Sequence, residues 1–175
     1  MSATAFQIRR PTHVDAAQCQ ALAALLIDCV EGGASVSFMH PLAPQRALAF
    51  WQGVAEGVAR GERALLVAED AQGIAGTVQL VLAQPDNQPH RADLAKMLVH
   101  RRARRLGLGE ALMRAAEAVA QDCGKTLLVL DTVDGSEAER LYRRLGWQSC
   151  GVIPGYALWP QGGLCATHVF YRQLA

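Results

Sequence analysis

Apolar and polar residues follow one another along the chain in patterns that predict seven strands and four helices. Residues 6–10 alternate and predict a first strand, and apolar residues recur at helical spacing over 22–29. Thr12 is a suitable N-cap for that helix, and Gly32 ends it. The remaining predicted elements are a helix over 45–60, strands over 63–69, 74–83 and 91–100, a helix over 109–123, a strand over 126–132, a helix over 136–145 and strands over 147–158 and 165–174.

The order of these elements, β-α-α-β-β-β-α-β-α-β-β, predicts an α/β fold of the α+β kind. Hairpins and strand–helix–strand units occur together, which favours a mixed sheet with helices on both faces. Trp51 and Trp147 are predicted core residues. The 175 residues show no internal repeat and no linker, so they predict a single domain over 1–175.

Composition narrows the classes of protein that fit. Hydrophobic residues make up 51% of the chain and charged residues 19%, which provides a sizeable core and argues against intrinsic disorder. No apolar run approaches the roughly 18–20 residues of a membrane span, and MSATAFQIRR has no signal-peptide core, so we expect a cytoplasmic protein. The net charge of +1 argues against a nucleic-acid or membrane-surface partner.

The cysteines and histidines indicate neither a disulfide framework nor a metal site. The five cysteines form no C-x-x-C pair and are odd in number, so reduced thiols are expected. The histidines show no metal-ligand spacing. These residues are Cys19, Cys29, Cys123, Cys150 and Cys165, and His13, His40, His90, His100 and His168.

The segment most informative about chemistry is the turn 104–109, between a predicted strand and a predicted amphipathic helix. Glycines at such a turn let backbone N–H groups face one ligand, and the helix N-terminus adds partial positive charge, so the turn can hold a pyrophosphate. Four arginines within 101–105 add local positive charge. The same residues equally fit a solvated basic turn in which the glycines only redirect the chain.

Other phosphate motifs fit this turn less well. It lacks the Gly-Lys-Ser/Thr ending of a P-loop, which argues against ATP or GTP hydrolysis. It is not G-x-G-x-x-G and it follows the fourth strand, which argues against a Rossmann dinucleotide site. No aromatic residues interleave the arginines, which argues against an arm that stacks on single-stranded nucleic acid.

The segment VHRRARRLGLG resembles the coenzyme A loop of the GNAT superfamily of N-acetyltransferases, whose core is Arg/Gln-x-x-Gly-x-Gly/Ala. Arg104, Gly107 and Gly109 match that core. Arg101 and Arg105 depart from the wider pattern, which often has proline and glycine at these positions.

A second segment resembles the same family in the expected order. It matches the family's A-x-x-L-Y-x-x-L-G-F/Y segment at Ala138, Leu141, Tyr142, Leu145, Gly146 and Trp147. Gly135 stands where many members have asparagine, so a coenzyme contact there is absent or is supplied by Ser136. The segments GGASVSFM, RADLAKMLV, LDTVDGSEAERLY and PGY are similar to the tabtoxin-resistance-type acetyltransferases.

The resemblance implies a mostly antiparallel seven-stranded sheet and acetyl-CoA as the acyl donor. It places Leu98 and Val99 along the acyl arm, where the Val99 N–H could polarise the thioester carbonyl. It assigns the rest of the coenzyme site to Arg104, Arg105, Leu106, Gly107, Leu108, Gly109 and Glu110, together with Ser136 and Tyr142.

The resemblance also implies how an acceptor amine would react. Asp93 and Asp131 are candidate bases that would also attract a cationic amine, and Tyr142 is the candidate acid for the departing thiolate. Ordinary roles compete with these assignments. Asp93 also fits a solvated edge position, Asp131 a turn or cap, and Tyr142 plain helix packing.

The loop 32–40 is the predicted wall of an acceptor pocket. Gly33 permits close approach, while Phe38 and Met39 could contact the acceptor or pack in the core. We therefore predict an N-acetyltransferase that acts by direct attack of a small primary amine, such as an amino acid, a peptide or a toxin, with antibiotic or toxin resistance as an implied role. The alternatives are a non-catalytic coenzyme A-binding sensor or interaction module, and an arginine-arm nucleic-acid binder. The resemblance is compatible with a homodimer.

Overall fold

The computed structural model describes residues 6–174; residues 1–5, part of the segment in which no signal-peptide core is expected, and residue 175 lie outside that range. Over residues 6–174 the elements follow the predicted order. The strands are β1 (Gln7–Arg9), β2 (Arg63–Asp70), β3 (Gly73–Val81), β4 (Arg91–Val99), β5 (Leu127–Val133), β6 (Gln148–Leu158) and β7 (Leu164–Gln173). The helices are α1 (Ala16–Glu31), α2 (Pro44–Ala59), α3 (Leu108–Asp122) and α4 (Glu137–Arg144), with a short 3₁₀ turn at Arg101–Ala103. None of these helices is long and apolar enough to cross a membrane.

Helix α1 begins later than the predicted N-cap. Asp15, rather than Thr12, caps it, because the Asp15 side chain accepts a hydrogen bond from the Gln18 N–H while the Gln18 side chain accepts one from the Asp15 N–H. This reciprocal pair satisfies two backbone donors at once, which a single threonine hydroxyl cannot do. The predicted end at Gly32 is confirmed, since Gly32 is the C-cap.

The strands form one seven-stranded sheet in the order β1-β2-β3-β4-β5-β7-β6. Every neighbouring pair is antiparallel except β4 and β5, which are parallel and are joined through α3. A parallel pair needs a crossover connection of this kind, whereas antiparallel neighbours need only short turns. The prediction of a mixed, mostly antiparallel sheet is confirmed.

Strands β4 and β5 separate partway along their length. They are paired from Arg91 opposite Leu127 to Asp93 opposite Val129, and no further. Beyond this point β5 stays bonded to β7, and β4 stays bonded to β3. A wedge-shaped gap therefore opens between residues 94–99 of β4 and residues 130–133 of β5.

A bulge bends β4 inside this gap. Ala95 pairs with Gln79 and Leu98 pairs with Thr77, so β4 carries one extra residue over this stretch. Lys96 sits in the bulge with a left-handed φ of +50°. Bulges re-aim side chains and interrupt pairing, which is why they are common next to functional sites.

The sheet separates two apolar clusters. One lies under α3 and α4 and contains Leu66 and Trp147, and the other lies under α1 and α2 and contains Leu65 and Trp51. Successive β2 residues thus point to opposite faces, and both faces are buried, as the apolar runs in this sheet predict. Trp51 and Trp147 are 0% and 4% exposed, so their predicted core positions are confirmed.

Candidate active site

A cavity of about 930 Å³ occupies the gap between β4 and β5. It lies between the phosphate turn (residues 104–109), helix α4 and the loop 32–40, and its volume suits a small molecule or a cofactor. The sequence-predicted site residues that line it are Gly33, Phe38, Met39, Leu98, Val99, Arg104, Arg105, Gly107, Leu108, Gly109, Glu110, Asp131, Ser136 and Tyr142. Leu106, which is 55% exposed, and Asp93 do not line it.

The phosphate turn presents the N-terminus of α3 to the cavity. Gly107 is the N-cap of this helix and has a left-handed φ of +80°. The first backbone N–H groups of a helix have no partner within it, so those of Leu108, Gly109 and Glu110 are available to a ligand. Together with the helix dipole, this arrangement favours an anion such as a phosphate.

Gly109 allows the phosphate turn to lie close against α4. A Cβ atom built at Gly109 would be 3.1 Å from Cδ2 of Leu141. A side chain at this position would therefore press on Leu141 of α4, which would have to shift by a few tenths of an ångström. Ser136, at the start of α4, uses its hydroxyl to accept from the Glu139 N–H at 3.1 Å and caps that helix at the cavity wall.

The arginines of the segment 101–105 divide into two groups. Arg104 and Arg105 line the cavity, with Arg104 Nε donating to the Val99 carbonyl at 3.3 Å and Arg105 paired with Glu137 at 3.0 Å. The prediction that all four arginines contribute one cationic field is wrong for the other two. Arg101 and Arg102 do not line the cavity, and they are paired with mostly buried carboxylates, whereas Glu137, the partner of Arg105, is exposed.

The two anchored arginines tie the turn to the rest of the fold. Arg101 donates to Asp28 through its backbone N–H at 2.9 Å and its Nε at 2.8 Å, and Arg102 pairs with Asp70. Burial tends to raise the pKa of Asp28, but the hydrogen bonds from Arg101 outweigh it and hold that pKa below its usual value. Asp28 therefore fixes α1 to the end of β4.

Val99 turns its backbone polar groups into the gap. His100 donates its N–H to Ala75 of β3 at 2.9 Å, and Val99 lies opposite Gly76. Because bonded and non-bonded positions alternate in an antiparallel ladder, Val99 points its N–H and C=O away from β3. The C=O accepts from Arg104, which leaves the N–H directed towards the cavity.

Tyr142 lies on α4 and is only 4% exposed. Its ring is 6.0 Å from that of Trp147 and 6.2 Å from that of Phe170, centroid to centroid. The hydroxyl has no hydrogen-bond partner among the described residues. Burial, and secondly the charge of Asp131, raise the pKa of Tyr142 far above its ordinary value, so the phenol stays protonated.

The two predicted aspartates have different surroundings. Asp131 is exposed to the cavity from β5 and lies beyond the last pair of β4 with β5. Asp93 lies at that last pair, where Arg91 pairs with its carboxylate and Gln84 Nε2 donates to it at 3.1 Å. The structure thus brings Asp131 together with Tyr142 and leaves Asp93 outside the cavity.

The loop 32–40 and the β6–β7 hairpin meet across the open side of the cavity. The His40 N–H donates to the Pro160 carbonyl at 2.9 Å, and the Ser35 hydroxyl donates to the Leu158 carbonyl at 2.8 Å. Phe38 packs edge-on against Phe50, with ring centroids 5.3 Å apart, so it serves the core as well as the wall. The loop is therefore a fixed wall.

The sequence did not single out several charged residues that line the cavity. Lys96 lies in the β4 bulge and donates to the Ser37 hydroxyl at 3.0 Å, while Arg140 and Arg144 reach the cavity from α4. A lysine inside the otherwise mostly apolar stretch LAKMLV was the available signal for the first. The α4 arginines carry no such signal, because only the fold shows which side of α4 faces the gap.

Within residues 6–174, one cluster combines three side chains of the kinds that ligate metals. His168 Nδ1 lies 3.3 Å from a carboxylate oxygen of Asp134 and 3.3 Å from one of Glu139. Glu139 also accepts a hydrogen bond from Arg143 at 2.8 Å, and it accepts one from the Gly135 N–H. These three residues do not line the cavity, and the cluster lies where the start of α4 meets β7. Chain spacing could not predict it, because its members lie on separate elements.

Several solved structures share this fold. The chain is similar to yncA of Salmonella typhimurium, solved with its cofactor acetyl-CoA, at 20% identity over 98% of this chain and 95% of that one, with a TM-score of 0.79. It is similar to the ribosomal-protein-alanine N-acetyltransferase of Brucella melitensis at 22% identity over 96% and 99% of the chains, with a TM-score of 0.81. It is also similar to a GCN5-related N-acetyltransferase of Kribbella flavida at 24% identity over 97% and 98%, with a TM-score of 0.78.

A match to a protein family adds to the similarity of fold. Residues 61–149 match the acetyltransferase (GNAT) domain family. This range contains the elements from β2 to α4, and with them the separating strands β4 and β5, the phosphate turn and Tyr142. The chain therefore belongs to the GNAT family of acetyltransferases.

Proposed function

We propose that the protein is an N-acetyltransferase that moves the acetyl group of acetyl-CoA to the primary amine of a small molecule by direct attack. The observation that carries this proposal is the gap between β4 and β5. It places an open strand edge, a helix N-terminus, a buried tyrosine and an aspartate around one cavity. We further propose that residues 1–175 act as one domain.

The residues at the phosphate turn fit a coenzyme A diphosphate. Gly107 in its left-handed conformation starts α3 so that the first N–H groups face the cavity, and Arg104 and Arg105 add positive charge beside them. Arg140 and Arg144 add further charge from α4. Bound acetyl-CoA would supply the thioester. The open edge of β4 at Leu98 and Val99 would hold the pantetheine arm.

Val99 and Asp131 would act on the two reacting groups. The Val99 N–H donates to the carbonyl oxygen on which negative charge develops. At pH 7 only about 1 in 10³ of a lysine-type amine is neutral, so the amine must lose a proton before it attacks. Asp131 attracts the cationic amine and accepts that proton, directly or through water.

Tyr142 would stabilise the departing sulfur. Because burial raises its pKa, the phenol is a weaker acid than free tyrosine, and complete transfer of its proton to a thiolate of pKa about 8.5 is unfavourable. We therefore assign Tyr142 a hydrogen bond to the sulfur as the C–S bond breaks. The proton that the thiol finally carries comes from the amine, through Asp131 or water.

A direct test follows acetyl transfer with a mixture of amines. Wild-type protein with acetyl-CoA should release free thiol and add the mass of one acetyl group to at least one amine. Tyr142→Phe is the matched control, because it should keep coenzyme binding and slow both signals. Coenzyme binding without turnover on any amine would replace the proposal with a coenzyme A sensor, and absence of both would end it.

Two finer features are part of the proposal. The similarity of GGASVSFM and RADLAKMLV to the tabtoxin-resistance-type acetyltransferases makes toxin-like amines reasonable members of the amine mixture. A homodimer is the second feature. Measurement of molar mass by light scattering tests it separately from activity.

A further inference from the structure

The part of the cavity away from the phosphate turn carries two opposite charges. We call it the acceptor chamber, lined by Ser37, Phe38, Met39, Lys96, Asp131 and Tyr156. Leu130 belongs to the cluster under α3, so its neighbour Asp131 points to the opposite face of the sheet, towards α1 and α2. Lys96 points to this same face, since its Nζ lies 3.0 Å from Ser37 Oγ and 5.7 Å from the Phe50 ring centroid. Asp131 is also the charge that acts to raise the pKa of Lys96, which burial lowers overall.

Lys96 is held in place but not neutralised by contact. Among residues 6–174 no carboxylate lies within 4 Å of its ammonium group. Arg91, by contrast, pairs with the carboxylate of Asp93, and Arg63 donates to the side chain of Gln79. A lysine ammonium has three N–H donors, and Ser37 takes only one of them. The other two donors have no hydrogen-bond acceptor among residues 6–174, and the ammonium group also lies over the Phe50 ring.

The backbone conformations of Ser37 and Lys96 support a functional role for these two residues. Ser37 has a φ of +77° and Lys96 a φ of +50°, and both are non-glycine residues. Such conformations cost energy and persist where the surrounding structure holds them, often at ligand sites. Here the two left-handed residues are hydrogen-bonded to each other at the cavity wall.

We propose that the acceptor carries an oxyanion, such as a carboxylate, as well as its primary amine. Lys96 and Ser37 hold the oxyanion, and Asp131 holds the amine at the reacting end. This inference rests on the proposed acetyl transfer, in which the amine nitrogen forms the new C–N bond, the C–S bond breaks, the amine proton passes to Asp131 or water, and the sulfur leaves as the thiol of coenzyme A. Amino-acid-type molecules meet this requirement, and di- and polyamines do not, since Lys96 repels a second cation.

The test uses pairs of acceptors that differ only in the anionic group. Each amino acid is compared with its amide, and with its phosphonate analogue to distinguish carboxylate from other oxyanions. The wild-type protein should prefer the anionic member by about 10- to 100-fold in kcat/KM, the range expected for a charged hydrogen bond. Lys96→Met should reduce the preference to within about 3-fold, Lys96→Arg should restore part of it, and Lys96→Glu should reverse it.

The chain offers a matched control, because its one other lysine, Lys125, donates to the Leu82 and Pro89 carbonyls and does not line the cavity. Lys125→Met should keep the wild-type preference. Equal use of acid and amide by the wild type, or a preference that survives Lys96→Met, would overturn the inference while leaving acetyl transfer intact. Failure to acetylate either member of every pair would overturn both proposals.

Discussion

Replacement of Tyr142 by phenylalanine separates a catalytic hydroxyl from a packing residue. The ring of Tyr142 packs with Trp147 and Phe170, and phenylalanine keeps those contacts. The hydroxyl has no hydrogen-bond partner among the described residues, so the folded protein loses none when it is removed. A packing role and a catalytic role therefore predict opposite outcomes.

The size of the effect follows from this environment. Tyr142 lines the cavity and its hydroxyl has no partner among the described residues, so removal of the hydroxyl should change the free energy of unfolding by no more than about 1 kcal/mol. In catalysis the hydroxyl would donate to a sulfur that becomes negative. A hydrogen bond to a charged group contributes about 1.5–3 kcal/mol, which corresponds to a fall in kcat of about 10- to 150-fold.

The assay compares three quantities for wild type and Tyr142→Phe. Thermal unfolding should give a similar Tm, calorimetry should give a similar Kd for acetyl-CoA, and thiol release should give the lower kcat. Because the pKa of Tyr142 is raised, its ionisation should cause no alkaline loss of activity up to about pH 10. A kcat within about 3-fold of wild type, or a lower Tm with a proportionate loss of coenzyme binding, would refute the catalytic role.

Three further predictions concern the turn, the anchor and a thiol. No atom lies within 4 Å of a Cβ atom built at Gly107, so only its φ of +80° opposes a side chain. Calorimetry should therefore show weaker acetyl-CoA binding for Gly107→Ala than for Gly107→Asn, because asparagine tolerates this φ better. Asp28 has a lowered pKa, so its stabilisation is complete above its usual value of 3.8 and is lost as the pH falls through the lower folded value. The gap in urea midpoint between wild type and Asp28→Asn should therefore close from about pH 6 to about pH 2, and a constant gap would contradict the anchor. Burial raises the pKa of Cys29 to about 11, so mass spectrometry after iodoacetamide at about pH 8 should find Cys29 unmodified and the exposed Cys150 modified. Equal labelling would contradict the raised pKa of the Cys29 thiol.

Local sequence patterns predicted the elements because each pattern is complete within one segment. In α3 the residues Leu112, Ala116 and Ala120 recur at helical spacing, and all three are buried. In β5 the run LLVLDT lies between β4 and β7, at a position in the sheet that suits an apolar strand. Neither assignment needed knowledge of a distant residue.

The site was less predictable wherever a role depends on a partner far along the chain. Arg101 and Arg104 look alike in the sequence, yet Asp28 on α1 binds the first and leaves the second to line the cavity. Thr12 and Asp15 are both acceptable N-caps, and only Asp15 has Gln18 at the position that completes a capping box. Lys96 stands out within the mostly apolar stretch LAKMLV, but only the bulge in β4 shows that it is directed towards Ser37.

The point at which β4 and β5 separate decides which aspartate can serve as a base. Asp93 belongs to the last bonded pair, where Arg91 and Gln84 engage its carboxylate. Asp131 lies past that pair, where β5 is bonded only to β7, and its side chain lines the cavity. If the parallel pairing continued further, it would use the backbone groups at the open edge of β4 and close the gap beside Asp131. The position of Asp131 at the cavity and the open edge of β4 therefore both depend on where the pairing of β4 with β5 ends.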